Sequence, residues 1–182
     1  MKIKTKRLIL RPIKESDKEA LIENINNLNV SKWLLVVPYP YTKKDADWWI
    51  NHCNEKWKKK EKDSYDFAIE LKSERLQIGG IGLSHYDRFQ RTAEIGYWLG
   101  EKYWRKGYIS EALEAVINFA FKKLKLRRIN IFAFKGNEAS NGVINKFRLK
   151  LEGIKRKAVR CKATGEIHDE NLYSLLKEEW KK

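Results

Sequence analysis

The sequence contains few of the residues that build disulfide frameworks and metal sites, and no long apolar run. Its 182 residues include two cysteines, Cys53 and Cys161, and three scattered histidines, so we expect neither a disulfide framework nor a metal site. No apolar run reaches the roughly 18 residues of a membrane span, and the N-terminal MKIKTKRLILRP lacks the apolar core of a signal peptide. With three prolines and no Pro/Gly/Ser linker, the chain is predicted to be one domain over residues 1–182, in the cytoplasm and away from membranes.

Acidic residues are also scarce relative to basic ones. The chain has 24 Asp and Glu against 39 Lys and Arg, a formal net charge of +15. A surface of this sign attracts polyanions, which makes the ribosome or RNA a candidate partner, although solvated lysine-rich faces would give the same count. Composition leaves open whether the protein is a monomer or a homodimer.

The pattern of apolar residues predicts an α+β fold. Period-two alternation indicates strands, and three consecutive ones in the middle of the chain are expected to form an antiparallel meander. The predicted strands cover residues 6–12, 67–71, 77–86, 92–100, 128–134, 151–160 and 168–176.

Helical periodicity appears between these strands. Ser16 and Glu19 match an S-x-x-E capping box that would open the first helix, and Thr42 would cap the second. A third helix is predicted from residue 109 to 124, and a short fourth one over residues 140–147. The predicted buried residues of the first two helices are Ala20, Leu21, Ile25 and Leu28, and then Trp49, Cys53 and Trp57.

One loop between a predicted strand and a predicted helix carries a chemical signal. Residues 103–112 read YWRKGYISEA, and the start of a helix presents unpaired N–H groups and the positive end of its dipole to an anion. Gly107 would let the backbone approach a ligand, while Arg105 and Lys106 add charge for phosphate oxygens. The loop therefore indicates a diphosphate site, although an ordinary turn with surface charges would look the same.

A longer segment around this loop resembles a known family. Residues 96–112, GYWLGEKYWRKGYISEA, resemble the coenzyme A-binding signature of the GNAT superfamily of N-acetyltransferases, and in particular its RimJ/RimL-type branch of ribosomal-protein N-terminal acetyltransferases. Similar matches occur in TKRLILRPIKESD at the start, IGGIGL, NEASNGVINKF, and DENLYSLLKEEW at the end, so the resemblance covers nearly the whole chain. Ile109 stands where the family has a small Gly or Ala.

The resemblance implies the GNAT fold, a mixed and mostly antiparallel sheet of about seven strands flanked by about four helices. It implies acetyl-CoA as cosubstrate, with no metal, lying in a splay between the strands at 92–100 and 128–134. The residues that it would place at the cofactor are Tyr97, Trp98, Leu99, Trp104, Arg105, Lys106, Gly107, Tyr108, Ile109, Ser110, Asn137, Ser140 and Lys146.

Three residues are candidates for the catalytic chemistry. Strand alternation puts Glu94 on one face with Gly96 and Trp98, where burial would raise its pKa toward that of a useful base; the alternative is a solvent-facing glutamate. The resemblance implies that Ser140 lies near the sulfur as a proton donor, and that Tyr173 is an acid or positions the substrate. Helix capping and core packing are the respective alternatives.

Acid–base equilibria favour one class of acceptor. An α-amino group with a pKa of about 7.7–8.0 is roughly 10–20% neutral at pH 7, whereas a lysine is about 0.04% neutral, so a site with one candidate carboxylate suits the former better. The sequence therefore favours an acetyltransferase that acts on a protein N-terminus. The alternatives are a transferase of a small amine (a polyamine, antibiotic or amino acid) and a non-catalytic, basic RNA- or ribosome-binding module on the same fold.

Overall fold

The computed structural model describes residues 1–181, and an eight-stranded sheet runs through them. The strand order is β1-β2-β3-β4-β5-β6-β8-β7, and every neighbouring pair is antiparallel except β5 and β6. The two-residue β1 is too short to be recognised by alternation, which is why about seven strands were predicted. The strands are β1 (Ile3–Lys4), β2 (Leu8–Arg11), β3 (Tyr65–Leu71), β4 (Leu76–Asp87), β5 (Thr92–Leu99), β6 (Arg128–Phe134), β7 (Lys150–Arg160) and β8 (Ile167–Leu176).

Five α-helices accompany the sheet in the described residues, one more than predicted. The additional one, α2, is a single turn whose start is capped by Asn27, which accepts the N–H of Asn29. The third predicted helix changes to a π-helical turn at Phe119–Lys123. The helices are α1 (Lys18–Ile25), α2 (Leu28–Ser31), α3 (Lys43–Lys58), α4 (Tyr108–Asn118) and α5 (Glu138–Lys146).

The start of α1 differs from the prediction. Ser16 lies inside a 3-10 turn, Glu15–Asp17, and α1 begins only at Lys18, so the predicted capping box with Glu19 is wrong. Asp17 instead accepts two hydrogen bonds from Arg11, at 2.6 and 2.8 Å. A buried guanidinium requires an acidic partner, and this ion pair ties the 3-10 turn to β2.

Leu28 was also misplaced by the periodicity. It lies outside α1, begins α2 and is 41% exposed. The predicted cap of α3 is confirmed: Thr42 accepts the N–H of Asp45 at 3.3 Å, while the Asp45 carboxylate accepts the N–H of Thr42 at 2.9 Å. Of the predicted buried residues only Cys53 is buried, since Trp49 and Trp57 are partly exposed and the other buried positions of α3 are Ala46 and Ile50.

Two hydrophobic clusters pack the two faces of the sheet. The larger one lies between the sheet and α4 and includes Ile95 and Leu113. The smaller one joins α1, α3 and the opposite face, and Trp98 packs against it. Successive β5 residues therefore face opposite sides, so that one strand contributes to both sides of the sheet. Within residues 1–181, no helix is long and apolar enough to cross a membrane.

Candidate active site

The parallel strands β5 and β6 separate soon after they meet. They pair at three positions only, from Thr92 opposite Arg128 to Glu94 opposite Asn130. Beyond Glu94, β5 keeps its partner β4, while β6 keeps its partner β8. The splay expected between these two strands is therefore present, and one backbone edge of β5 faces it.

The loop after β5 ends in a left-handed residue that caps α4. Gly107 is the N-cap, with φ 77° and ψ 10°, a conformation that costs a residue with a side chain about 1 kcal/mol. The first N–H groups of the helix, on Tyr108, Ile109 and Ser110, have no carbonyl four residues earlier in the helix. Together with the exposed Arg105 beside the cap, these donors form an arrangement suited to an anion.

An ion pair that sequence reasoning missed holds this loop against the sheet. The Glu111 carboxylate accepts the backbone N–H and the Nε–H of Arg7, both at 2.7 Å, and the hydroxyl of Thr5 at 2.6 Å. Arg7 also donates through Nη1 to the Lys106 carbonyl at 2.9 Å. Burial alone would raise the pKa of Glu111, but the hydrogen bonds from Thr5 and Arg7 outweigh it and lower the pKa. The sequence signal for this ion pair was the T-x-R pattern of Thr5 and Arg7 at the start of the chain.

Two bulky residues anchor the same loop. The indole N–H of Trp104 donates to the Leu99 carbonyl at 2.7 Å, which ties the loop to the end of β5. Ile109 packs, partly buried, against the larger hydrophobic cluster. The bulk of Ile109 is thus accommodated by the core, and Gly107 still caps the helix.

The start of α5 meets β5 at the splay. Asn137 caps α5 by accepting the Ser140 N–H at 3.1 Å, and the Ser140 hydroxyl lies 2.9 Å from the Tyr97 hydroxyl. Burial raises the pKa of Tyr97 to about 12, with the Ser140 hydrogen bond opposing this and Tyr173 adding to it, so Tyr97 is a neutral phenol at pH 7. Lys146 does not join them: it is exposed in the last turn, about 9 Å from Ser140 along the helix axis.

Tyr173 lies in a polar network behind this pair. It is 5% exposed and donates to Asn141 Oδ1 at 2.7 Å, an atom that also accepts from Asn171 at 2.9 Å. Asn141 in turn donates to the carbonyls of Phe134, at 3.0 Å, and Asn137, at 2.7 Å. Asn141 and Asn171 carried no sequence signal, because their roles depend on contacts between distant segments.

Glu94 is less buried than predicted. Its side chain is 32% exposed and pairs with His85 Nδ1 at 3.1 Å, because a bulge in β4 next to Ser84 brings His85 to it. The expected alternation does hold, and Glu94 faces away from α4. A second carboxylate, Glu170, is buried near it; burial raises the pKa of Glu170, Lys155 lowers it and Glu94 raises it further.

The described part of the chain offers little to a metal ion. Across residues 1–181, no group of three or more His, Cys, Asp or Glu side chains could hold one. Both cysteines are buried as free thiols.

Comparison with known proteins matches most of this chain to one family. A family model described as an acetyltransferase (GNAT) domain matches residues 7–150. YdaF of Bacillus subtilis, whose name provisionally describes a ribosomal N-acetyltransferase, is 33% identical over 175 residues, which cover 95% of this chain and 93% of YdaF. The ribosomal-protein-serine acetyltransferase of Escherichia coli is 36% identical over 100 residues, 54% of each chain.

Among solved structures, Mycobacterium smegmatis RimJ in complex with CoA-disulfide has the same fold. The two superpose with a TM-score of 0.86 at 20% sequence identity, covering 100% of this chain and 90% of that one. At this identity the likeness concerns the path of the backbone alone.

Proposed function

Because the chain belongs to the acetyltransferase (GNAT) domain family and is an N-acetyltransferase, we propose that it transfers the acetyl group of acetyl-CoA to the N-terminal α-amine of a protein. The names of YdaF and of the Escherichia coli relative, both of which refer to ribosomal acetylation, support a ribosomal protein as the acceptor. The cytoplasm is the compartment that this acceptor requires.

The observation that carries the use of acetyl-CoA is that the splay continues into the proposed anion-binding loop, which is the segment from the end of β5 to the first turn of α4. β5 ends at Leu99, and Gly107, the N-cap of α4, follows only eight residues later. The N–H groups at the start of α4 suit a pyrophosphate, and the β5 edge that faces the splay suits the amide groups of a pantetheine arm. The residues present therefore fit acetyl-CoA, with Arg105 and Lys106 as further phosphate partners.

The chemistry can be assigned to residues of this chain. When bound, acetyl-CoA supplies the thioester carbonyl that the amine attacks. The β5 backbone around Trp98 would stabilise the negative charge on that carbonyl oxygen, since fixed dipoles cost no reorganisation. Ser140, backed by the neutral phenol of Tyr97, would protonate the leaving sulfur, and Glu94 or a water next to it would take the proton of the amine.

The basic surface supports an encounter with a polyanion. Lys155, Arg156, Lys157 and Arg160 are exposed on β7, at the edge of the sheet, and lysine-rich edges also discourage pairing with another strand. A positive surface raises the association rate with an anionic target. A protein that is bound to RNA or assembled in a ribosome would therefore be a favoured acceptor.

The first test of this proposal is the binding of acetyl-CoA. At a concentration about 100 times its dissociation constant, a ligand of the folded state adds about 2.7 kcal/mol to the free energy of unfolding. We expect the melting temperature to rise accordingly with acetyl-CoA, and not with acetate alone. An unchanged melting temperature up to millimolar acetyl-CoA would contradict the proposal.

A further inference from the structure

A row of small residues crosses the sheet beside the splay, on the face opposite α4. Asp66 of β3 is the register partner of Gly82 of β4, and Gly82 is the partner of Gly96 of β5. Gly96 is exposed, and a Cβ added there would meet no heavy atom within 4 Å. The sheet therefore has a shallow depression over Gly96, on the strand that borders the splay, and Asp66 fills the space over Gly82.

The side chains of β5 limit this depression along the strand. Trp98 packs against the smaller hydrophobic cluster, as does Trp49 of α3. The Trp98 ring covers Gly80 of β4, since a Cβ added to Gly80 would lie 2.6 Å from Trp98 Nε1. At the other end, Glu94 points to the same face as Gly96. The depression is thus bounded by an indole ring and a carboxylate.

Asp66 supplies a second carboxylate from across the row. Its Oδ1 lies over Gly82, since a Cβ added to Gly82 would be 2.9 Å from that oxygen. The contacts from Ser64 Oγ, at 3.3 Å, and Lys56 Nζ, at 3.8 Å, are both made to the other oxygen, Oδ2. The side chain is 20% exposed, so the carboxylate is partly accessible.

We propose that this depression seats the first residue of the acceptor, with its α-ammonium group bound by Asp66 on the way to Glu94 and the splay. This inference rests on the proposed function and adds the place and the determinant of acceptor binding. If the nucleotide end of acetyl-CoA binds at the start of α4, the opposite face of the sheet is left open to the amine. The two carboxylates offset locally the repulsion between a cationic protein and an ammonium group.

The missing side chain at Gly96 decides which acceptors would fit. A primary amine on a chain that begins with a small residue, such as Ser or Ala, can lie against Gly96. A side chain on Gly96 would occupy that space without disturbing its neighbours, because none lies within 4 Å. Gly96 would therefore limit the size of the first acceptor residue, while Asp66 would bind its charge.

A bisubstrate ligand tests this proposed acceptor site, called the seat below, without relying on turnover. Coenzyme A is joined through its sulfur and a methylene-carbonyl bridge to the α-nitrogen of a short peptide that begins Ser-Ala, and its affinity is compared with that of coenzyme A by calorimetry. We expect the wild type to bind this ligand more tightly than coenzyme A. Gly96→Val should weaken the bisubstrate about tenfold or more and change coenzyme A less than about twofold.

The matched control is Gly153→Val, which places the same side chain on β7 at a glycine that also has nothing within 4 Å of an added Cβ. It should bind both ligands as the wild type does. If the wild type prefers the bisubstrate and Gly96→Val keeps that preference, the seat is refuted while the proposed function stands. If the wild type binds the bisubstrate no better than coenzyme A, both are refuted.

The part assigned to Asp66 is tested by steady-state kinetics with the free peptide. Asp66→Asn keeps the shape and removes the charge, so the KM for the peptide should rise about tenfold, as expected for a lost charged hydrogen bond. The KM for acetyl-CoA should not change. Asp63→Asn, which removes a carboxylate paired with Lys59 at 2.8 Å, should leave both constants within about twofold. Equal peptide KM values in the wild type and Asp66→Asn would remove Asp66 from the seat.

Discussion

Gly107 is the residue on which the proposed anion-binding loop depends most. Gly107→Asp would place a negative charge beside the proposed phosphate site, and two like charges about 4 Å apart near a protein surface repel by about 4 kcal/mol, or roughly a thousandfold in affinity. We expect acetyl-CoA to lose its effect on the melting temperature of this variant. The variant should still fold, because an added Cβ meets only Arg7 Nη2, at 3.5 Å.

Gly165→Asp is the control for the backbone. Gly165 has a similar φ of 74° and nothing within 4 Å of an added Cβ, but it lies in the turn between β7 and β8. Both variants should lose about 1 kcal/mol of stability, and Gly165→Asp should keep its response to acetyl-CoA. Retained binding by Gly107→Asp would refute the loop assignment.

The pair formed by Tyr97 and Ser140 makes a prediction of its own. If the two hydroxyls act as one proton-donating unit, Tyr97→Phe and Ser140→Ala should each lower kcat about tenfold or more, and the double variant should be no slower than the slower single one. Rates are measured at saturating acetyl-CoA and peptide. Tyr86→Phe serves as control and should keep the wild-type rate, because Tyr86, like Tyr97, is partly buried against the larger hydrophobic cluster. Additive losses in the double variant would show that the two hydroxyls act separately.

Sequence reasoning identified the local features of the site and missed its long-range contacts. Gly107 and Asn137 could be found because capping is decided within a few residues. The contact between Ser140 and Tyr97 spans 43 positions and depends on the splay, which no local pattern encodes. The exposure of Glu94 depends on the β4 bulge that carries His85. The catalytic and cofactor-binding roles of all these residues stay predictions.

At the scale of elements, α4 and the N-terminal segment form one supporting unit. Glu111→Gln removes the negative charge and one of the two carboxylate oxygens to which Thr5 and Arg7 donate. We expect a loss of about 1 kcal/mol at neutral pH, modest because Arg7 is 41% exposed, and weaker acetyl-CoA binding, since Arg7 also holds the Lys106 carbonyl.

The loss should depend on pH with a definite sign. The folded state lowers the pKa of Glu111, so this stabilisation is complete above the ordinary carboxyl pKa of about 4.3 and disappears as the pH falls through the lowered value. The difference in free energy of unfolding between wild type and Glu111→Gln should thus shrink below about pH 4. A difference that stays constant down to pH 3 would contradict the ion-pair account; Glu138→Gln, in the first turn of α5, controls for the helix dipole.

Element prediction succeeded where periodicity was strong. The central meander and α3 appear as predicted because alternation and a capping box are local signals. α1 was predicted to begin too early and to extend too far, since the buried pairing of Arg11 with Asp17 overrides the S-x-x-E pattern. β1 and α2, of two and four residues, are shorter than any reliable period.

At the scale of the whole molecule, the family prediction is confirmed, including its RimJ/RimL-type branch. The resemblance extends over nearly the whole chain, and the family model alone covers residues 7–150. Resemblance at the ends of the chain thus carried information that composition could not. The prediction of one domain over residues 1–182 stays a prediction, as does the choice between monomer and homodimer.

Whether RNA binding depends on where the positive charge lies, and not only on the net charge, can be tested with two variants that remove equal charge. Replacing Lys155, Arg156 and Lys157 on β7 by Gln should weaken binding of a single-stranded RNA and reduce the slope of log K against log salt by about 2, at about 0.7 per phosphate contact. Fluorescence anisotropy across a salt series measures the slope. The control replaces Lys58, Lys59 and Lys60 at the end of α3 and removes the same charge. Equal effects of the two triple variants would mean that net charge alone attracts RNA.

The central claim is that acetyl-CoA acetylates the α-amine of a protein, and a competition assay tests it most directly. The protein is incubated with acetyl-CoA, a peptide that begins Ser-Ala, the same peptide with a blocked N-terminus and one free lysine, and spermidine, and the products are resolved by mass spectrometry. The account predicts one acetyl group on the free α-amine of the first peptide, and little on lysine or spermidine at pH 7. Preferential acetylation of spermidine or lysine, or no acetyl transfer to any of the three, would contradict it.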